Sequence, residues 1–163
     1  RGSGPGVPLD DSALIPIKIG TAEKCRDQIF DSDIADNSKH HKIAILAFGS
    51  MVQPCIKVGD VLNTSVINMR FVKPIDSDML RTVVETHNVI VTVEEHVKMG
   101  GAGSACLEAL SLIKYKNDCE PKFLHLGLPD KNIDHGDCET LLKREGLDFL
   151  GIKLSIENFI RQL

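Results

Sequence analysis

The chain has 163 residues, 42% of them hydrophobic and 26% charged, which suits one well-packed domain and leaves little room for two. A net charge of −4 gives no electrostatic reason to expect nucleic acid or an anionic membrane as partner, and with no Trp and one Tyr the chain offers few stacking platforms for bases. No apolar run approaches the roughly 20 residues of a membrane span, and no segment has a signal-peptide pattern.

The opening RGSGPGVP has the composition of a linker, so a domain boundary is expected at or just before residue 1, with residues 1–13 as linker and 14–163 as the domain. The competing reading of the opening is an expression-tag scar. Leu14, Ile15, Ile17 and Ile19, interrupted by Pro16, suggest an edge strand or the approach to one. Residues 21–41 are polar, acidic in the middle and basic at the end, and read as a surface loop with at most a helical turn.

Regular structure is expected from Ile43. Residues 43–48, IAILAF, read as a buried strand, and Gly49 and Ser50 turn it into a helix over 51–62 whose Val52, Cys55, Ile56, Gly59 and Leu62 keep one face apolar or small. Pro54 falls in the first turn, where its missing N–H does little harm. A strand follows over 65–72, then a helix over 77–87 capped by Asp76, with Met79, Leu80, Val83, Val84 and His87 at helical spacing. The pattern continues with a helix over 104–115, a strand over 123–128, and helices over 138–145 and 148–162 broken at Gly146. Alternating strands and helices with short connections predict a three-layer α/β/α sandwich on a mostly parallel sheet.

The stretch with most chemical promise is VIVTVEEHVKMGGAGS, residues 89–104. Val89 to Val93 read as a strand buried on both faces, and ligands of open α/β sheets sit beyond the carboxyl ends of such strands. That end carries Glu94, Glu95 and His96, then Gly100, Gly101 and Gly103, with Ser104 placed to cap the next helix. Paired carboxylates there could do acid/base work or hold a metal, and the glycines could let backbone N–H groups reach a phosphate at a helix N-terminus. The alternative is a tight strand-to-helix turn in which a buried carboxylate accepts backbone hydrogen bonds. The loop lacks the third glycine of the dinucleotide fingerprint and the lysine of a P-loop.

Cys25, Cys55, Cys106, Cys119 and Cys138 are widely spaced, odd in number and form no CxxC pair, as expected of reduced, mostly structural thiols inside a cell. The six histidines follow no zinc-ligand spacing.

Four blocks carry a family resemblance: RGSGPGV at 1–7, ILAFGS at 45–50, RFVKPID at 70–76 with VTVEEHVKMGGAGS at 91–104, and LGLPDKNIDHG at 126–136. The chain resembles the C-terminal domain of the transketolase superfamily, and within it that of the 1-deoxy-D-xylulose-5-phosphate synthase family. The middle blocks are shared with the β subunits of 2-oxoacid dehydrogenases, which leaves that family, or a stand-alone small-ligand module, as the alternative. LGLPDKNIDHG resembles the synthases specifically.

The resemblance implies a whole enzyme that uses thiamine diphosphate and Mg²⁺ to join pyruvate to glyceraldehyde 3-phosphate with loss of CO₂, for isoprenoid and thiamine synthesis. It implies that both cofactors are held by upstream domains, and that this chain is a structural, dimer-supporting part of a homodimer with no catalytic, cofactor or metal residues. Glu94, Glu95, His96 and His135 are then not catalytic. Arg1 is the exception, since it matches the last arginine of an Arg-Tyr-Pro-Arg-Gly run that grips the substrate phosphate in the family. Residues 21–41 are longer than the compact family pattern, a hint of a plastid-type homologue over one from a bacterial cytoplasm.

Overall fold

The computed structural model describes residues 16–29, 41–113 and 120–163. Five strands form one sheet in the order β1-β3-β2-β4-β5, with β1 at Glu23–Arg26, β2 at Ile43–Ala47, β3 at Ser65–Asn68, β4 at Val89–Val97 and β5 at Lys122–Leu128. The strands β2 to β5 run parallel, and β1 joins β3 antiparallel. Helices α1 at Val52–Leu62, α2 at Ser77–Thr86, α3 at Ala102–Ser111, α4 at Cys138–Arg144 and α5 at Phe149–Ile160 complete the described chain.

Strand periodicity divides the core into two layers. Ile43, Ile45 and Ala47 of β2 pack with Cys55 and Val58 of α1 and with Ile152 and Ile156 of α5. Ala44 and Leu46 point the other way, to Leu80 and Val83 of α2 and Cys106 and Leu110 of α3. Every residue of β2 is buried, so the central strand needs apolar residues on both faces and shows no alternation in its sequence. The result is the expected three-layer α/β/α sandwich.

Local chemistry sets the helix ends. Asp76 accepts the Met79 N–H at 2.9 Å and caps α2, and its other oxygen accepts the Ala22 N–H at 2.7 Å, fastening the approach to β1. Asn63 takes a left-handed conformation with φ 51 to end α1.

Four expectations change. The described part of the Leu14–Ile19 run lies outside the sheet, with Ile17 and Ile19 exposed, and the edge strand is instead β1 within the segment read as surface loop. Lys24 and its neighbours can serve because an edge strand needs only backbone pairing on one side. β3 stops at Asn68, since Arg70 adopts φ 55, and its guanidinium pairs with Glu23 at 2.6 Å. β4 runs on through Val97, beyond the expected end at Val93. Finally, α3 starts at Ala102 with Gly101 as N-cap, so Ser104 does not cap it. The Ser104 hydroxyl instead donates to the Lys98 carbonyl at 2.8 Å and accepts the Gly100 N–H at 3.1 Å.

Of the cysteines, Cys55 and Cys106 are buried and free, and burial pushes both thiols up to about 12, which makes them unreactive. Cys25 and Cys138 are exposed and free, while Cys119 lies outside the described residues. No helix among the described residues is long and apolar enough to cross a membrane.

Candidate functional site

Four steps of β4, from Val93 to Val97, match two steps of β5, from Leu126 to Leu128. Strand alternation sends Ile90, Thr92 and Glu94 to the α3 face of the sheet, and past this point the bulged stretch leaves Glu95 and His96 exposed. Glu94 is 2% exposed. Its carboxylate accepts the Ala102 N–H at 2.7 Å on Oε2, and the Gly103 N–H at 2.7 Å on Oε1. Oε1 also takes the Nε2–H of His125, 2.8 Å away on β5.

A helix N-terminus carries unpaired N–H groups and partial positive charge, so it attracts an anion. Here the anion is the protein's own side chain. The glycines make that approach possible: a Cβ on Gly101 would lie 2.4 Å from Glu94 Oε2, and one on Gly103 would lie 2.3 Å from His125 Nε2 and 2.5 Å from Thr92 Oγ1. The Ala102 and Gly103 amides that an anionic ligand would use are filled by this carboxylate.

Of the three readings open in the sequence, the geometry selects the structural turn. Glu94 and Glu95 are neighbours on β4 whose side chains meet different elements, so they do not share a site. Glu95 accepts the hydroxyl of Ser50 and, at 3.9 Å, the thiol of Cys138. His96 is exposed with Nδ1 3.3 Å from the Val97 carbonyl, and His135 is exposed in the loop after β5. Among the described residues, no group of three or more His, Cys, Asp or Glu side chains could hold a metal ion. Arg1 lies outside the described residues.

The residue missed in the sequence is His125. It stands in an apolar strand 31 positions from Glu94, and the one available signal is a polar residue, flanked by Leu124 and Leu126, that pairs in register with Thr92. The LGLPDKNIDHG block leads from β5 toward α4 and makes two ion pairs with its end: Lys131 reaches Glu145 at 3.4 Å, and Asp134 is reached by Arg144 at 3.9 Å.

Comparison with known proteins adds the lineage. 1-Deoxy-D-xylulose-5-phosphate synthase of Chromobacterium violaceum is 43% identical over 157 residues, 96% of this chain and 23% of that protein. The synthase of Paraburkholderia xenovorans is 53% identical over 120 residues, 73% of this chain and 18% of that protein. The chain thus spans less than a quarter of the length of these curated relatives. A solved structure described as a split gene transketolase, inactive beta4 tetramer, superposes with a TM-score of 0.75 at 23% identity, covering 96% of this chain and 47% of that one. A family model described as the transketolase C-terminal domain matches residues 34–152, most of the chain, and the doubly covered parallel sheet is the fold of that neighbour. The chain belongs to the transketolase C-terminal domain family.

Proposed function

We propose that this chain is the C-terminal domain of a 1-deoxy-D-xylulose-5-phosphate synthase and serves that enzyme as a structural, dimer-supporting part. The observation that carries the assignment is the 43% identity to a named synthase along 96% of the chain. The enzyme would join pyruvate to glyceraldehyde 3-phosphate, breaking the bond to the pyruvate carboxylate, which leaves as CO₂, and forming a carbon–carbon bond to the aldehyde. Thiamine diphosphate with Mg²⁺ supplies the decarboxylation chemistry, and both belong in this reading to upstream domains of a soluble homodimer.

The role within the enzyme follows from Glu94. Its carboxylate takes the α3 amides that a phosphate ligand would need, which supports a domain that closes on itself and does no chemistry. Arg1 is the one residue assigned to substrate, where its planar guanidinium would grip the phosphate of glyceraldehyde 3-phosphate from the linker of residues 1–13.

The test is a coupled assay on the full-length protein with pyruvate, glyceraldehyde 3-phosphate, thiamine diphosphate and Mg²⁺. The expected result is 1-deoxy-D-xylulose 5-phosphate and CO₂ in equal amounts, with neither turnover nor thiamine diphosphate binding by the isolated 163-residue chain. Pyruvate consumption that depends on a lipoyl acceptor instead would assign the chain to a 2-oxoacid dehydrogenase. Substituting Arg1→Ala should raise the KM for glyceraldehyde 3-phosphate by about tenfold or more, the loss expected for a charged hydrogen bond, with the KM for pyruvate unchanged.

A further inference from the structure

His87 lies at the opposite, amino end of the sheet, where α2 ends and β4 begins. Its ring joins a chain of hydrogen bonds that leads to residues 27–29, the segment leaving β1. Nε2 is 2.9 Å from the Ser65 hydroxyl, which also accepts the Gln28 N–H at 2.9 Å. The Gln28 side chain then accepts the Ile43 N–H at 2.9 Å and donates to the His41 carbonyl at 3.0 Å, continuing the pairing at the start of β2.

Proton placement along this chain is determined by its partners. Thr86 gives its hydroxyl proton to the Thr82 carbonyl at 2.7 Å, so Thr86 Oγ1 is an acceptor for the His87 Nδ1–H at 2.8 Å. The Val83 carbonyl, 3.3 Å from Nδ1, likewise only accepts. Nδ1 therefore carries the proton, Nε2 is the acceptor, and Ser65 donates to it. Adding a proton to Nε2 sets two donors against each other. Ser65 must then turn its own proton elsewhere, and among the described residues its hydroxyl is bonded only to Gln28 and His87. Ser65 is 2% exposed, so a lost bond there is not replaced by water.

We propose that His87 is a proton-sensitive latch: neutral, it holds residues 27–29 onto the amino ends of β2 and β3 through Ser65 and Gln28, and protonated, it releases them. Burial pushes the imidazole below the usual histidine range, the Val83 carbonyl opposes this, and the charges around the ring divide. Lys24 on β1 and Lys42 before β2 act with burial, and Asp27, itself paired with Lys24 at 2.9 Å, acts against it. A histidine whose folded value lies below its unfolded value of 6.5 stabilises the closed state above that value. That stability is lost as pH falls through the folded value.

Hydrogen exchange on the full-length protein tests the latch, with rates divided by the intrinsic rate at each pH. As pH falls from about 7.5 to about 5.5, opening at Gln28, Ile29 and Ile43 should rise by up to about tenfold per pH unit, the limit for release of one linked proton. The α3 amides held by Glu94 serve as the internal reference. His87→Gln keeps an acceptor without a titrating ring and should make the response flat with pH, the amides remaining protected. Ser65→Ala cuts the chain, and should leave the same amides open and flat with pH even if His87→Gln does not fold. A wild-type response flat with pH overturns the proposal, as does a pH response that survives either substitution.

Discussion

At the carboxyl end of the sheet one buried carboxylate, Glu94, accepts three hydrogen bonds, whereas at the amino end the closing bonds are spread over several elements and mostly neutral groups, with the Arg26 guanidinium among them. There Asn63 pairs with both backbone groups of Ile29, at 2.9 and 2.6 Å, Asn88 accepts the Lys42 N–H at 2.8 Å, and Gln28 bridges to Ile43. The difference is one of concentration. A single charge at a helix N-terminus makes every group around it depend on one side chain, and it requires glycine where the backbone approaches. Amide and hydroxyl partners each contribute about 1 kcal/mol and fail one at a time.

That comparison ranks the effects of substitution. Gly103→Val should be the most damaging, at about 4 kcal/mol or more, because its branched side chain would occupy the space of His125 and Thr92 and push the helix off Glu94. Denaturant unfolding, or loss of soluble full-length protein, would report it, and a cost near 1 kcal/mol would mean that the close approach is not required. Glu94→Ala should cost about 3 kcal/mol, leaving the Ala102 and Gly103 amides and the His125 ring without their acceptor in a buried place.

At the amino end and along the helices the expected losses shrink. Asp76→Ala removes the α2 cap and the Ala22 contact together, for about 1–2 kcal/mol, with a lower melting temperature as the readout. Arg81→Ala breaks an exposed pair with Asp78 and should change stability by less than about 0.5 kcal/mol. If it matched Asp76→Ala, surface charge would matter here more than capping does.

The sequence shows the layers well, for stated reasons. IAILAF and VIVTV are apolar on both faces because helices cover both sides of their strands, and the cap at Asp76 is visible because an aspartate precedes a run at helical spacing. β1 is hidden because EKCR is polar and exposed, and an edge strand asks for backbone pairing more than for apolar side chains. Glu94 and Glu95 are alike as letters, and which of them turns inward depends on which face of β4 lies under α3, the face that Glu94 shares with Ile90 and Thr92. His125 is invisible beside them because its partnership with Glu94 exists only once β5 lies against β4. The turn at Gly101–Gly103 is legible as a turn, and a buried carboxylate accepting its backbone hydrogen bonds is one of the readings open there, but which glutamate it is cannot be read from the letters.

Glu94→Gln in the full-length protein tests the central claim most directly, since glutamine keeps the size and removes the charge that seats α3. Unfolding stability and thiamine diphosphate affinity are measured on the same sample. The self-seated carboxylate predicts a loss of about 2 kcal/mol in stability, with cofactor affinity and the KM for glyceraldehyde 3-phosphate within about twofold of wild type. Unchanged stability with a collapse in affinity for either ligand would contradict it, and would make the strand end a binding site after all.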